Sequence, residues 1–441
     1  MHILLISHYW EPEQGVVQRR WQWLSEALRG AGHHLTVIAP PPHYPGGKLL
    51  TDEPRCQTGA IDDSKTGLTI YRTAFTEHDQ SIVSRVSGQA KVMQSQLACA
   101  AKAIRRARRQ GHPVDAVCCT VPALPSAVVA YLVAKRHALP FILELRDAWP
   151  EILDYLDQWY DHDKSVSLPM QAKLSLFHIL MKLGGKALGV MIKDSDAVIT
   201  TTKSLARLER AKGCRNVITV RNRANSGIPN CNEYPQRETG PLRILYAGTV
   251  GRAQGIESAI EALSLAQQSG TEIEMRVVGS GAHLKPVRRK ALDLKAPVEF
   301  FGRVSFDEVT NHYRWADSVL VHLQDWEPME YTIPSKLFEA MWAEKHVTAA
   351  VAGEAAQIVE TSQIGDVVPP MNPEALAQLW ANLARNRDRL NVDGNGSAWF
   401  ATNQSLEQLS EEWMKALSIA VEEHRSRSHS LKSRVVRLLK K

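Results

Sequence analysis

Residues 333–341 (IPSKLFEAM) combine a chain geometry and side chains that suit a phosphorylated ligand. Pro334 restricts the backbone angle φ and Ser335 is a favoured N-cap residue, so we predict that a helix begins at about Lys336. The first turn of a helix exposes N–H groups and a partial positive charge, which favour a diphosphate. Glu339 follows one turn later, where its carboxylate can accept hydrogen bonds from a ribose diol. The segment predicts a nucleotide-sugar pocket, and an ordinary capped helix remains the alternative.

Glycine-rich loops follow other apolar segments in the second half of the chain. Residues 248–255 (GTVGRAQG) contain three glycines and an arginine, which predict a phosphate cradle, although no Gly-Lys-Ser/Thr follows as in a P-loop. Residues 279–281 and 302–304 follow two further apolar segments. Each glycine alone can mark a simple turn, so the functional interpretation rests on their position after successive strands. The candidate ligand contacts in these loops are Gly248, Arg252, Gln254 and Arg303.

Two loops in the first half place charged and aromatic residues directly after apolar segments. In residues 8–15, Gly15 allows a close approach of the backbone and Glu13 offers a carboxylate. Residues 146–151 form the second loop. Because ligands of parallel α/β sheets bind beyond the carboxyl ends of the strands, both loops are candidate binding sites. The second loop contributes the candidates Arg146, Asp147 and Trp149.

The segments that must position these loops alternate between short apolar runs and amphipathic stretches. Strands buried on both faces and separated by helices indicate parallel, doubly wound sheets. The pattern stops in residues 224–242, which are rich in Asn, Pro and Gly, and then restarts, so we predict two Rossmann-like domains. The predicted strands are residues 2–7, 35–39, 116–120, 141–145, 243–247, 274–278, 298–301, 318–322 and 347–351, and the predicted helices are residues 18–29, 81–109, 127–135, 256–268 and 405–421.

The composition is that of a globular protein with more than one core. The chain has 441 residues, of which 44% are hydrophobic and 23% charged, and this length exceeds one ordinary core. No apolar run is long enough for a transmembrane helix, and residues 2–7 predict a first buried strand and not a signal peptide. Six cysteines without Cys-x-x-Cys pairs or a nearby histidine pattern predict reduced, metal-free thiols and a cytoplasmic protein.

The net charge of +6 is concentrated at the C-terminus, where residues 424–441 contain seven Lys or Arg and no acid. The remainder is nearly neutral and offers no nucleic-acid footprint. Leucine and valine recur at helical spacing in residues 431–439, which predicts a short basic amphipathic helix suited to anionic lipid. A solvated disordered tail and a nucleic-acid arm are the alternatives. Residues 174–183 are apolar with flanking lysines, which predicts either an interfacial patch or a buried core helix.

In order and spacing, these segments resemble a GT-B glycosyltransferase of family 4, from Met1 to about Val421. The most similar branch contains enzymes that add amino sugars of the N-acetylfucosamine type to lipid-linked glycans of bacterial surface polysaccharides. Because several segments match in the same order, the resemblance is more specific than any one of them. The matching segments are residues 8–15, 143–151, 246–255, 278–281, 301–304, 333–341, 353–356 and 368–370.

The resemblance implies that two facing domains bind different substrates, with the ligand in the cleft between them. Residues 1–225 would bind the acceptor, residues 240–395 would bind the nucleotide-sugar, and a helix at about 400–421 would cross back to the first domain before the tail at 424–441. It also implies transfer with retention of the anomeric configuration, without a metal and without a cofactor other than the donor co-substrate.

The resemblance also assigns roles to individual residues. Glu339 matches the second glutamate of the family's E-x7-E motif, which holds the ribose, and the amides of the first helical turn would hold the diphosphate. Asp147, with Arg146 beside it, is the candidate for orienting the acceptor or balancing positive charge on the sugar, and Arg252 is a candidate cation. The remaining candidates are Gly248, Gln254, Arg303, Ser335, Lys336 and Leu337 for the donor and Gly15, Glu13 and Trp149 for the acceptor.

The chain departs from the family pattern at three places. The first glutamate of the motif falls at Tyr331, with Glu330 as the neighbouring carboxylate. The histidine that precedes Asp147 in the family is replaced by Arg146. Two basic residues that brace the diphosphate are replaced by neutral ones. These neutral residues are Thr249 and Gln254, and the cations that remain nearby are Arg252 and Lys336.

We therefore predict a retaining glycosyltransferase that moves a sugar, by resemblance an N-acetylated amino sugar, from a UDP-linked donor to a polyprenyl-linked glycan. It would act as a cytoplasmic protein, peripheral on the inner face of the cell membrane, in polysaccharide biosynthesis. Two alternatives stay open. A nucleotide-sugar 2-epimerase of the same fold would convert the donor without an acceptor, and a non-catalytic membrane scaffold would bind nucleotide-sugar without turnover.

Overall fold

The computed structural model describes residues 1–13, 15–44, 46–77, 82–155, 168–224, 238–392 and 394–439. The chain forms two compact units. Unit 1 contains Met1–Arg221 and Leu406–Lys441, and unit 2 contains Asn222–Ser405. No helix among the described residues is long and apolar enough to cross a bilayer.

Unit 1 is built on an eight-stranded sheet with the order β3-β4-β2-β1-β5-β6-β7-β8, and all its strand pairs are parallel except β3 with β4. The central strands are buried on both faces, as their predominantly apolar sequences predict. The strands are β1 His2–Ile6, β2 His34–Ala39, β3 Ile61–Asp62, β4 Leu68–Arg72, β5 Ala116–Val121, β6 Phe141–Leu145, β7 Ala197–Thr200 and β8 Val217–Thr219.

The helices of unit 1 connect these strands. Thr202 caps the last of them before β8, because its hydroxyl oxygen accepts the N–H of Leu205 at 3.1 Å. The helices are α1 Val16–Gly30, α2 Ile82–Arg109, α3 Leu124–His137, α4 Leu168–Asp194 and α5 Lys203–Ala211.

Helix α4 contains the segment 174–183 that the sequence left ambiguous. Ile179 and Leu183 are each 56% exposed, so this part of α4 is not a buried core helix. Its other face is packed, since Leu188 and Ile192 are buried. The side chains of residues 174–176 lie outside the described residues.

Unit 2 is built on a six-stranded, fully parallel sheet with the order β11-β10-β9-β12-β13-β14. The chain winds outward from β9 in one direction and from β12 in the other, so the strand order reverses between these two strands. The strands are β9 Leu242–Ala247, β10 Ile273–Val278, β11 Val298–Phe301, β12 Ser318–His322, β13 His346–Ala350 and β14 Gly365–Val368.

The helices of unit 2 include clear capping signals. Ser305 and Glu308 form a capping box, in which the Glu308 N–H donates to the Ser305 hydroxyl and the Ser305 N–H donates to the Glu308 carboxylate. The helices are α6 Ile256–Gln268, α7 Leu284–Asp293, α8 Phe306–Trp315, α9 Glu327–Glu330, α10 Ser335–Trp342, α11 Gly353–Ser362, α12 Pro373–Arg385 and α13 Asn395–Asn403.

The last helix, α14 (Leu406–Leu439), belongs to unit 1 and joins the two segments that the sequence predicted separately, the crossing helix and the basic tail. Trp413 is fully buried and its ring lies 5.8 Å from that of Trp21 in α1. Further along, Arg427 contacts the Asp196 carboxylate at 3.5 Å. The side chains from residue 429 onward lie outside the described residues, so the amphipathic character of the tail stays a prediction.

The sequence located nine strands and missed five, namely β3, β4, β7, β8 and β14. These are short or mix Thr, Asp and Arg with apolar residues, so they lack the apolar runs that mark the others. Strand β4 ends at Arg72, which is buried because its guanidinium donates to the carbonyls of Pro40 and Glu11. The fold class was correct, because both units have parallel, doubly wound sheets.

Candidate functional site

In unit 2, the loops after β9 and β12 begin at the point where the strand order reverses. Such a reversal sends neighbouring loops apart and opens a crevice at the carboxyl edge of the sheet. Two hydrogen bonds tie the bases of these loops together. His322 Nδ1 donates to the Gln254 carbonyl at 2.8 Å, and the Gln324 N–H donates to the Ala253 carbonyl at 2.9 Å.

Glycines allow the loops after β9 and β10 to pack backbone against backbone. Gly279 has a φ of +135°, and a Cβ placed on it would lie 2.0 Å from the carbonyl oxygen of Gly248. A Cβ on Gly281 would lie 2.1 Å from the carbonyl oxygen of Val250. No side chain larger than hydrogen fits at either position, so the predicted glycines are required by contact and not only by turn geometry.

Beside these glycines lies a pocket of about 220 Å³ at the carboxyl edge of the sheet. Arg303 is exposed at its rim, where its Nε donates to the Ser280 hydroxyl at 3.1 Å. The residues that line the pocket are Ala247, Gly248, Thr249, Val278, Gly279, Ser280, Arg303, Val304 and Val309. A groove of about 680 Å³ lies at the opposite edge of the sheet, beside Gly240 and Glu272, where strands begin and no strand-end loop contributes.

Gln254 occupies the position of one missing family cation, and its side chain is engaged within its own loop. Its Oε1 accepts the N–H of Gly251 at 3.0 Å, which closes the turn Arg252–Gln254. The Gln324 side-chain amide donates to the Arg252 carbonyl at 3.2 Å, which further fixes this turn. The structure therefore gives Gln254 a loop-stabilising contact, and its predicted contact with the donor stays a prediction.

Helix α10 begins one residue earlier than the sequence predicted. Pro334 is the N-cap, with φ of −61° and ψ of 133°, and Ser335 is the first helical residue, so Ser335 is not the cap. No side chain in the described part of the chain caps this terminus. The Leu337 N–H already donates to the Pro334 carbonyl at 3.0 Å. The amides of Ser335 and Lys336 are therefore the better placed of the three predicted diphosphate contacts.

Lys336 in the first turn of α10 is buried although its side chain is cationic in water. Its Nζ lies 3.7 Å from the centroid of the Tyr246 ring, and its Cε lies 3.3 Å from the position that a Cβ on Gly248 would occupy. The Tyr246 hydroxyl donates to the Thr249 carbonyl at 2.5 Å, which fixes the ring beneath the ammonium. Burial lowers the pKa of Lys336 to about 7, against the opposing effect of Glu339.

His322 at the end of β12 is a second buried basic group of this edge. Burial lowers its pKa to about 4, so the imidazole is neutral near pH 7, with the proton on Nδ1 where it meets the Gln254 carbonyl. Its Nε2 is buried and has no hydrogen-bond partner among the described residues. Sequence inspection missed His322 and Tyr246. A polar residue at the carboxyl end of an apolar strand is the signal that could have indicated His322.

Glu339 lies one turn into α10 and is partly exposed, and its contact with a ribose stays a prediction. The place of the other motif glutamate is taken by Tyr331, whose hydroxyl donates to Glu327 at 3.1 Å. Glu330 is exposed, and its backbone packs so closely on Gly353 that a Cβ there would lie 2.2 Å from the Glu330 carbonyl oxygen. The carboxylate of Glu330 is therefore carried on a fixed stretch of backbone.

In unit 1, Arg146 and Asp147 follow β6 directly. Arg146 is buried, and its Nε donates to the Val121 carbonyl at 3.1 Å. Burial lowers the pKa of Arg146 and raises that of Asp147, and each charge partly offsets the effect of burial on the other. Asp147 is partly exposed, and its carbonyl accepts the N–H of half-buried Trp149 at 2.8 Å. The structure thus brings the three predicted residues of this loop together.

Glu13, predicted on the acceptor side, is buried and fully engaged within unit 1. One oxygen accepts the N–H groups of His43 and Tyr44, and the other accepts the Gln18 side-chain amide at 2.7 Å. Burial raises the pKa of this carboxyl. Its observed contacts hold the loop after β2, and its predicted contact with an acceptor stays a prediction. Gly15 is the N-cap of α1, where a Cβ would lie 2.5 Å from Gln18 Oε1.

Aromatic rings from three separate segments meet beside this loop, and the sequence did not indicate them. Tyr9 lies 5.3 Å from Tyr44 and 5.6 Å from His43, and His43 lies 4.3 Å from Phe75, all between ring centroids. No local pattern in the sequence joins residues this far apart.

In the part of the chain that the structure describes, no three His, Cys, Asp or Glu side chains cluster as metal ligands do.

Two family models match successive parts of the chain. The model described as "Glycosyl transferase 4-like domain" matches residues 15–223, and the model described as "Glycosyl transferases group 1" matches residues 241–386. The first range covers most of the N-terminal segment of unit 1 and ends two residues into unit 2, and the second range lies within unit 2.

Comparison with individual proteins also finds glycosyltransferases. WbjE of Pseudomonas aeruginosa, named as a glycosyltransferase, is 32% identical over 30% of this chain and 34% of its own length, so the chain matches only about a third of that relative. WcaI of Escherichia coli K12, named as a glycosyl transferase of colanic acid biosynthesis, is 24% identical over 85% of this chain and 90% of its own. The solved structure of Anabaena HepE with UDP-glucose covers 95% of this chain and 99% of its own, with a TM-score of 0.62 and 14% identity. That likeness shows a shared fold.

The close backbone contact at Gly279 predicts an intolerance to substitution. Gly279→Ala would place Cβ 2.0 Å from Gly248 and require a φ that L-residues rarely adopt, so we expect unit 2 to lose about 1–3 kcal/mol of stability. Gly302→Ala is the matched control, because nothing lies within 4 Å of a Cβ at this neighbouring loop. Differential scanning calorimetry measures both. Equal transition temperatures for the two variants would contradict the packing described.

Proposed function

We propose that this chain is a glycosyltransferase that transfers a sugar from a nucleotide-sugar to a glycan acceptor. Two glycosyltransferase family models, which together match most of its length, support the class. The observation that carries the proposal is the edge of unit 2, where the uncapped first turn of α10, the Gly248 backbone and the Lys336 ammonium lie together. This combination suits a diphosphate, because amide dipoles and one cation meet at a single place.

The same edge of unit 2 would also supply the hydrogen-bond donors and the cation that stabilise the leaving diphosphate. As the bond between the anomeric carbon and the diphosphate breaks, negative charge develops on the leaving phosphate. Preorganised donors then stabilise the transition state, and removing one such donor costs about 10²–10³ in rate. We assign this role to the amides of Ser335 and Lys336 and to the Lys336 ammonium, with Arg252 as a second cation. We propose that transfer proceeds with retention and without a metal, as the family resemblance implies.

We propose a UDP-linked amino sugar as the donor. The bound UDP-glucose of the Anabaena structure supports the nucleotide, and the resemblance to the amino-sugar branch supports the sugar. Glu339 would accept hydrogen bonds from the ribose hydroxyls. In unit 1, Asp147 would orient the acceptor hydroxyl or balance positive charge on the sugar, and it is not proposed as a nucleophile.

We propose a lipid-linked glycan of a surface polysaccharide as the acceptor. The name of the E. coli relative, which refers to colanic acid biosynthesis, supports this class. The surface of α4 supports it independently. Ile179, Leu183 and Val190 are each more than half exposed and fall on one helical face. Exposed Lys182 and Lys186 flank that face, so the surface suits an anionic membrane that would hold such an acceptor.

The transfer activity is tested by incubating the protein with a panel of UDP-linked sugars, with and without a polyprenyl-diphosphate-linked glycan. We expect UDP release only when both substrates are present, and nuclear magnetic resonance should show the anomeric configuration of the donor in the product. Conversion of the donor to an epimer without acceptor would instead identify an epimerase. Tight binding of nucleotide-sugar with no turnover on membranes would indicate a scaffold.

Replacing Glu339 with Ala tests the ribose contact. Hydrogen bonds to a charged group contribute about 1.5–3 kcal/mol, so we expect the donor KM to rise about tenfold to a hundredfold with little change in the acceptor KM. Glu360→Ala in neighbouring helix α11 is the matched control, since this residue is exposed and should change neither constant. A donor KM that stays unchanged in Glu339→Ala would remove the ribose assignment.

The α4 surface predicts binding to anionic lipid. In flotation with liposomes that contain phosphatidylglycerol, Ile179→Ser with Leu183→Ser should reduce the bound fraction several-fold, because two exposed apolar anchors are lost. Leu292→Ser is the control, since Leu292 is 78% exposed but lies in unit 2. A chain ending at Ser428 keeps the contact of Arg427 with Asp196 and tests the tail separately. Equal flotation of all variants would contradict lipid binding by both the α4 surface and the C-terminal tail.

A further inference from the structure

The burial of Lys336 at the candidate donor edge is not explained by the fold alone. An ammonium removed from water is costly unless a carboxylate pairs with it. Within the described ranges, no carboxylate lies within ion-pair distance of its Nζ, and the nearest compensation is the face of the Tyr246 ring. In unit 1, by contrast, the buried guanidinium of Arg20 forms an ion pair with the Glu144 carboxylate at 2.8 Å.

Burial favours the neutral form of Lys336, and the neighbouring elements compensate little of the cost of burying its charge. Strand β9 contributes the uncharged Tyr246 ring, and the loop after β9 contributes the backbone of Gly248. Strand β12 contributes His322, whose positive form would repel the ammonium and whose pKa is already lowered to about 4. Glu339, on the same helix as Lys336, is partly exposed, and its charge together with the face of the Tyr246 ring favours the ammonium without offsetting burial.

The position of Lys336 nevertheless points to an anionic ligand. Its Nζ lies 3.5 Å from the place of a Cβ on Gly248, and Gly248 lines the pocket of about 220 Å³. Among the described residues no carboxylate pairs with Lys336, so a diphosphate bound beside Gly248 would supply the compensating negative charge.

We propose that Lys336 is the cation of this site and that it becomes charged with its ligand: a nucleoside diphosphate bound beside Gly248 brings one proton onto Nζ, and departure of the product releases that proton. This inference rests on the proposed function and deepens it, because it assigns the diphosphate contact to Lys336 ahead of Arg252. An arginine is always charged and cannot couple binding to a proton in this way.

The lowered pKa fixes the direction of the pH dependence. In the free protein, Lys336 titrates at about 7 instead of the ordinary 10.5, so the unfolded chain binds more protons than the native chain between these values. The free energy of unfolding of the empty protein therefore rises with pH across this window. Affinity for UDP falls over the same window, because the proton that binding requires becomes scarcer. The expected slope approaches a tenfold loss of affinity for each unit of pH above about 7.

Isothermal titration calorimetry of UDP binding to the full chain tests the proposal. Titrations at pH 8 in buffers of different ionisation enthalpy give the number of protons taken up. We expect nearly one proton for the native protein and none for Lys336→Arg, whose guanidinium is charged before binding. Lys336→Gln should bind UDP more weakly, with no proton uptake and with an affinity that is flat from pH 7 to 9.

The outcomes separate this inference from the proposed function. UDP that binds the native protein without proton uptake, or with uptake that persists in Lys336→Arg, would overturn the role of Lys336 and leave the glycosyltransferase proposal standing. A protein that binds no UDP at all would contradict the proposed function itself. If Lys336→Arg does not fold, the dissociation constant of the native protein from pH 7 to 9 decides, because a flat profile overturns the inference.

Discussion

The candidate site depends on contact between backbones at the carboxyl edge of unit 2. Gly279 and Gly281 have no side chains, so the loops after β9 and β10 touch directly through the carbonyls of Gly248 and Val250. This contact leaves no room for a side chain between the two loops, and the backbones of Gly248 and Gly279 line the pocket beside it. The reversal of strand order between β9 and β12 places the crevice at the same edge, and α10 aims its first turn into this region. Chain geometry therefore brings the pocket and the first turn of α10 to the same edge of unit 2.

Two buried basic side chains, Arg20 and Lys336, differ in whether an acid pairs with them. Arg20 and Glu144 in unit 1 satisfy each other, and Trp21 also donates to the Glu144 carboxylate, so this pair belongs to the packed interior. Lys336 in unit 2 is buried against an aromatic ring with no paired acid in the described chain. A completed pair contributes to a defined core, whereas an incomplete one is costly in the empty protein and is relieved by a ligand. The difference separates a structural charge from one that serves binding.

The sequence predicted the parts of the fold that depend on local pattern. Apolar runs such as β9 and β12 and the turn after Ile333 were found, because burial on two faces and a proline before a helix leave a local trace. Strand β4 was missed because Thr69 and the terminal Arg72 shorten its apolar run, and Arg72 is satisfied by carbonyls distant in the sequence. For the same reason no local signal indicated that Glu13 would hold the loop after β2 or that Lys336 would be buried over Tyr246.

The most direct test of the account is a crystal structure of the protein with UDP. We expect the β-phosphate oxygens within hydrogen-bond distance of the amides of Ser335 and Lys336 and of the Lys336 ammonium, with the ribose hydroxyls on Glu339. A nucleotide bound instead in the groove beside Gly240 and Glu272, at the opposite edge of the sheet, would contradict it.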